Sequence, residues 1–86
     1  MIVPLPRELR EGDAGQDVVM VQRALARAGF RKWGFFRKRW HPAMTKVVKR
    51  AQYAAGEKAD GVWGKRTHKK FARYFDAFGS SVMVEL

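Results

Sequence analysis

A small all-α domain of three helices, with an extended arm at each end, is the fold that this 86-residue sequence predicts. Three observations lead there. Three segments carry apolar residues at helical spacing and each closes on a glycine; a tryptophan-bearing turn followed by a helix occurs twice; and the one alternating run, SSVMVEL at the C-terminus, is short enough to be a strand or a tail. The organisation that follows is an extended N-terminal arm over 1–11, a helical domain over 12–78 and a C-terminal tail over 79–86.

The arm is extended because Pro4 and Pro6 disfavour helix before and at their positions. Gly12 and Gly15 mark a turn. From Gln16 the residues Val18, Val21, Leu25 and Ala28 recur at helical spacing, Asp17 stands where the helix dipole favours an anion, and Gly29 is the stop. The first helix is therefore expected over about Gln16 to Ala28, with Gln22, Arg23 and Arg27 on a solvated face. Pro42 suits the first position of a second helix, which runs through Met44, Val47, Val48, Ala51 and Ala55 to Gly56 and puts Lys46, Lys49 and Arg50 on its opposite face. A third helix begins near Lys65, after the turn DGVWG. It is expected to bury Phe71, then Tyr74 or Phe75, then Phe78, and to end at Gly79, with the Thr67 hydroxyl satisfying a free N–H of its first turn.

The turn–helix unit repeats at one constant offset, which pairs Trp40 with Trp63, Lys46 with Lys69, Val48 with Phe71, Arg50 with Arg73 and Ala51 with Tyr74. Two such units packed on the first helix make a three-helix core with each indole wedged between a turn and the helices.

A chain this short buries only about 60 to 65% of the surface its unfolded form exposes, which leaves little room for a catalytic cleft. Cysteine is absent, so disulfides, thiolate metal sites and thiol catalysis are excluded, and His41 and His68 alone make a poor metal shell. Both histidines read as polar surface groups, one of them a cap on the second helix. No nucleophile stands at a triad-like spacing to them, so no catalytic residue, cofactor or metal is assigned. The start MIVPLP has neither a basic leader nor a long apolar run, so a cytoplasmic origin and no membrane contact are expected.

The net charge of +10 points to polyanionic partners. It is also uneven: residues 31–50 hold eight Lys or Arg and no acid, whereas Glu8, Glu11, Asp13 and Asp17 fall in the first twenty. Within RKWGFFRKRWHPAM, the cations Arg31, Lys32, Arg37, Lys38 and Arg39 alternate with Trp33, Phe35, Phe36 and Trp40. With Lys46, Lys49 and Arg50 they form a candidate surface for a partner or a polyanion. Single-stranded nucleic acid is one such polyanion, with cations for phosphates and rings for bases.

The stretch DGVWGKRT carries a further signal, because an Asp-Gly turn, a buried aromatic, a second Gly and a Thr opening a helix follow in order. Here the chain resembles the three-helix peptidoglycan-binding domains found beside bacterial and phage wall hydrolases. Gly12, Gly15, Val18, Val21, Gln22, Leu25, Gly29 and Phe30 match the first helix and its borders; Trp40, Pro42, Val47, Val48 and Gln52 match the first turn and second helix; Gly56, Asp60, Gly61, Trp63, Gly64, Thr67 and Phe71 match the second turn and third helix. In the first repeat the family's Asp-Gly falls on Arg37 and Lys38, its later Gly on His41, its Thr on Met44 and its Phe on Ala51.

The resemblance implies a non-catalytic module that docks peptidoglycan or an anionic wall polymer, with ligand contacts at Gln22, Gln52, Tyr53, Asp60, Gly61, Trp63 and Thr67. Beside it stand structural readings of the same residues: Trp63 as a core wedge, Gln22 and Gln52 as ties between helix and turn, Asp60 as a turn residue bonding its own backbone. Two other functions remain open, a phage virion accessory protein that contacts capsid or tail proteins through the aromatic loop and the arms, and a nonspecific nucleic-acid binder. The place of action implied is the wall after lysis, or a virus particle.

Overall fold

The computed structural model describes residues 7–75. Helices α1 (Gln16–Arg27), α2 (Pro42–Ala54) and α3 (Lys65–Phe71) begin at or within a residue of the predicted starts. In α1 the Asp17 carboxylate accepts the Val18 N–H at 3.0 Å and the Arg7 guanidinium at 2.9 Å, which anchors the helix start to the lead-in. α1 and α2 end alike. Phe30 N–H reaches the Leu25 carbonyl (2.9 Å) and Glu57 N–H reaches the Gln52 carbonyl (2.8 Å), each just past a glycine that supplies the left-handed residue of a Schellman stop.

The third helix is shorter than its apolar pattern predicts. Phe71 leaves the helical region (φ −111°, ψ 9°) and the chain tightens into a 3₁₀ turn over Ala72–Tyr74, after which Phe75 is fully buried against His68 with ring centroids 4.7 Å apart. Phe78, Gly79, residues 1–6 and the C-terminal tail lie outside the described residues.

α1 is the central helix. It is buried on more of its circumference than its pattern suggested, because Val19, Met20, Gln22 and Ala26 join Val18, Val21, Ala24 and Leu25 in the interior. The expected solvated face of Gln22, Arg23 and Arg27 is therefore corrected: Gln22 is buried beneath the 31–39 segment, Arg23 and Arg27 are half-buried, and Arg27 donates to the Tyr74 carbonyl. Trp40 and Trp63 are the largest fully buried side chains, and around them lie Leu9, Met44, Val48, Ala51, Phe71 and Phe75. Both indoles are core wedges, as their repeat positions implied.

The described part of the lead-in is extended, yet it is docked on the body. Leu9 exchanges both backbone hydrogen bonds with Trp63 (3.1 and 2.8 Å). Four residues on, Asp13 accepts the Trp40 N–H at 2.8 Å and Gly12 donates to the Trp40 carbonyl at 3.2 Å. One short segment thus pins the backbones of both tryptophans, and Leu9 itself is fully buried in the core. A residue in a free arm changes stability by less than about 0.5 kcal/mol when truncated, whereas a core leucine costs about 2–5 kcal/mol. Leu9→Ala is expected to show the second behaviour in urea denaturation.

Candidate functional site

Two glutamines organise the turns that precede the tryptophans. On α2, the Gln52 Oε1 accepts the Gly61 N–H (2.9 Å), while its amide nitrogen lies within reach of the Val62 carbonyl (2.8 Å), Thr67 Oγ1 (3.0 Å) and Asp60 Oδ1 (3.1 Å). Asp60 also accepts the Val62 N–H at 3.0 Å. Gln52, Asp60, Gly61 and Thr67 are therefore one cluster, but their polar groups are used within the fold. Thr67 does not cap α3 as expected, since its hydroxyl is taken by Gln52. Gly61 is held at φ +78°, where a Cβ would lie 2.8 Å from Thr45 Cγ2 and 3.2 Å from Lys49 Cε, so no other residue fits without displacement.

On α1, Gln22 plays the corresponding part with different partners. Its amide donates to the Arg37 carbonyl, and its Oε1 accepts the Arg37 N–H (3.2 Å) and the Arg31 guanidinium (2.9 Å). Arg31 supplies a donor where the hydrophobic Met44 stands at the repeat position of Thr67. Lys38, at the repeat position of Gly61, has no left-handed backbone to adopt, because among the described residues every positive φ belongs to glycine. The first turn is thus a different turn, held by both backbone groups of Arg37.

The indole N–H groups are satisfied in parallel. Trp40 donates to Thr45 Oγ1 (2.8 Å), which donates on to Glu11 (3.3 Å), and Trp63 donates to His68 Nδ1 (3.1 Å). In each case the acceptor lies five residues beyond the tryptophan. His68 is consequently a buried core residue and not a surface group. His41 occupies the position before α2 without bonding its backbone; its Nε2 sits 3.1 Å from Arg37 Nη1. A guanidinium only donates, so a hydrogen bond here has Arg37 as its donor.

Two hollows among the described residues are open to a ligand, and the first lies beside the first turn. A groove of about 550 Å³ lies between α1, the 31–41 segment and the start of α2. Leu25, Met44 and Val47 make its apolar part, Arg31, Lys32, Arg37 and Arg39 its cationic part, and Trp33 and Phe35 its aromatic part. Trp33 is 57% exposed and Phe35 81%. Phe36 packs edge-on against Trp33 (5.4 Å between centroids), the Arg27 guanidinium lies 5.6 Å from the Trp33 ring, and the Arg31 guanidinium 4.7 Å from the Phe36 ring. Burial lowers Arg31 from its ordinary pKa without discharging it, since an arginine stays protonated at any physiological pH.

A second hollow, of about 480 Å³, lies against the other turn and has mixed charge, with Glu8, Glu57 and Asp60 among Arg7, Lys58, Lys65 and Arg66. Asp60 is held below the ordinary carboxylate range by the Val62 N–H, against some desolvation and with help from Gln52.

The sequence-predicted sites thus divide. Gln22, Gln52, Gly61, Trp63 and Thr67 are buried and serve the fold; Asp60 is exposed at the mixed hollow; Tyr53 is 81% exposed and lies outside both hollows. Arg31, Lys32, Trp33, Phe35, Arg37 and Arg39 come together in the groove. Phe36 backs Trp33, Lys38 is exposed in the same segment, and Lys46, Lys49 and Arg50 are exposed on α2. Thr45 and His68 were missed. Their signal was the shared position five residues after each tryptophan. Among the described residues no three His, Asp or Glu side chains are grouped to hold a metal ion, and no helix is long and apolar enough to cross a membrane.

In comparison with known proteins, the family model described as "Putative peptidoglycan binding domain" aligns with residues 14–71, well over half of the chain. No curated protein and no solved structure matches.

The glutamine and aspartate roles are measurable. Gln52→Leu leaves the buried Gly61 N–H without its acceptor and should cost about 1–3 kcal/mol in chemical denaturation. Because the folded-state pKa of Asp60 is depressed, its contribution to stability is present above the unfolded carboxylate pKa and is lost as pH falls through the folded one. The gap in stability between the parent and Asp60→Asn should therefore narrow as the denaturation midpoint is followed downward through the carboxylate range.

Proposed function

The chain belongs to the peptidoglycan binding domain family, and on that premise we propose that it is a docking module for the bacterial cell wall, acting by binding and not by chemistry. The observation that carries this reading is that the family match over residues 14–71 contains every residue lining the cationic aromatic groove. The groove is a surface the fold leaves open, whereas the glutamines, both indoles and Thr67 are committed to internal hydrogen bonds. A wall fragment offers what such a groove takes: carboxylates and sugar hydroxyls for guanidinium donors, and apolar sugar faces for Phe35 and Trp33. Catalysis has no support in the groove, whose titratable groups are cations apart from His41, itself bonded to Arg37.

Sedimentation with purified peptidoglycan at physiological ionic strength tests the reading. The protein should pellet with the wall, Phe35→Ala combined with Arg37→Gln should weaken retention roughly tenfold or more, and Tyr53→Ala, outside the groove, should leave it unchanged. Absence of retention by the parent protein removes the wall reading and turns attention to a virion protein or a nucleic acid as the partner.

A further inference from the structure

Among the described residues the cations of the groove have no ion pair, and two of them, Arg31 and Arg37, are oriented by other contacts. Arg31 donates to the Gln22 side chain and to the carbonyls of Lys32 and Phe35, and Arg37 contacts His41; none of these partners is a carboxylate. No Asp or Glu is among the residues lining the groove. The two ion pairs among the described residues, Arg7–Asp17 and Arg10–Glu8, involve none of its cations. The mixed hollow by α3 is the internal contrast, because there three carboxylates stand among the bases. Like charges held together without a counter-charge repel and cost stability until an anion arrives.

The anion implied is extended. On α2, Lys46 and Arg50 follow Ala43 and Val47 at three-residue helical spacing, so the positive surface runs on from the groove along the exposed side of the helix. A single carboxylate would engage one end of that row; a chain with a charge in every repeat would engage its length. The rings argue against bases as the repeating unit. Stacking needs successive open faces, whereas Phe36 is half-buried and carries Arg31, and Trp33, though exposed, is contacted by Arg27 and the edge of Phe36, which leaves Phe35 as the most exposed ring of the groove.

We propose that the groove formed by Arg31, Arg37, Arg39 and Phe35, continued by Lys46 and Arg50, binds a phosphodiester-linked polyol polymer of the bacterial wall. The assignment rests on the wall-docking reading and specifies which wall component this surface takes. The guanidinium groups pair with phosphates, and Phe35, Met44 and Val47 contact the CH-rich spacers between them.

The test compares wall sacculi that retain their phosphodiester polymer with the same sacculi after the polymer has been removed by phosphodiester hydrolysis, and adds soluble poly(glycerol phosphate) as a direct ligand. Intact sacculi are expected to bind at least tenfold more tightly than stripped ones, soluble poly(glycerol phosphate) to compete, and added salt to weaken binding steeply. Arg37→Gln with Arg39→Gln should abolish most of that difference. Lys65→Gln with Arg66→Gln, equal in charge lost but placed at the mixed hollow, should preserve it.

Equal retention on both sacculi with no competition by the soluble polymer overturns the proposal and leaves wall docking standing. Retention on neither overturns both. Equal weakening by the two double variants overturns it in favour of attraction by net charge alone, and tighter binding to single-stranded DNA than to poly(glycerol phosphate) at matched salt overturns it in favour of nucleic acid. Circular dichroism of each variant verifies that the fold is retained, and Lys substitution at Arg37 and Arg39 should restore part of the binding.

Discussion

Two buried indoles are the points on which this small domain depends. Each tryptophan is fixed at three places: its ring lies in the core, its N–H is bonded to a side chain five residues ahead in the following helix, and its backbone pairs with the segment between Leu9 and Asp13. In a chain with so little interior, a large aromatic that also satisfies its polar atom supplies apolar burial without an orphaned donor. The lead-in is held for the same reason. It closes the backbone hydrogen bonds of both turns, and Leu9 fills the space beside Trp63.

The two turn–helix units solve one problem with different chemistry. Around Trp63 the solution is compact and centres on Gln52, bonded to Asp60, Gly61, Val62 and Thr67. Around Trp40 the glycine and the threonine are absent, and Gln22 instead takes both backbone groups of Arg37 and the guanidinium of Arg31. That exchange has a surface consequence. A turn held by an arginine carries its charge outward, and the adjoining Trp33 and Phe36 are contacted by Arg27 and Arg31 respectively. The cationic groove grows out of the way this turn is stabilised, and its charge is thereby built into the fold.

The charge distribution joins stability to function. Acidic residues near the N-terminus pair with Arg7 and Arg10, so that part of the molecule is electrostatically settled. Among the described residues the 31–50 region has no such ion pair, and its Arg31 is held by amide and carbonyl oxygens and an aromatic face. A surface that carries this many cations with no carboxylate lining it attracts anions, and it lies within the stretch that matches the peptidoglycan binding domain family.

Much of this was legible in the residues themselves. Helical spacing with glycine stops located α1 and α2 to within about a residue, and the constant offset between Trp40 and Trp63 announced two equivalent wedges, because helix periodicity, caps and turns are set by interactions a few residues apart. The cations and rings of the groove were identified as a group for the same reason: they are neighbours in the chain. The fate of polar side chains was a different matter. Gln22 was open between a solvated face and a tie from helix to turn and is the tie, His68 looked exposed and accepts an indole N–H, Thr67 looked like a cap and bonds Gln52, and Leu9 looked like part of an arm and is core. Composition, charge and local spacing determined the fold class and the character of the surface; only the tertiary structure decided which polar groups are spent inside and which remain free, because each partner comes from a distant segment whose approach no local pattern encodes.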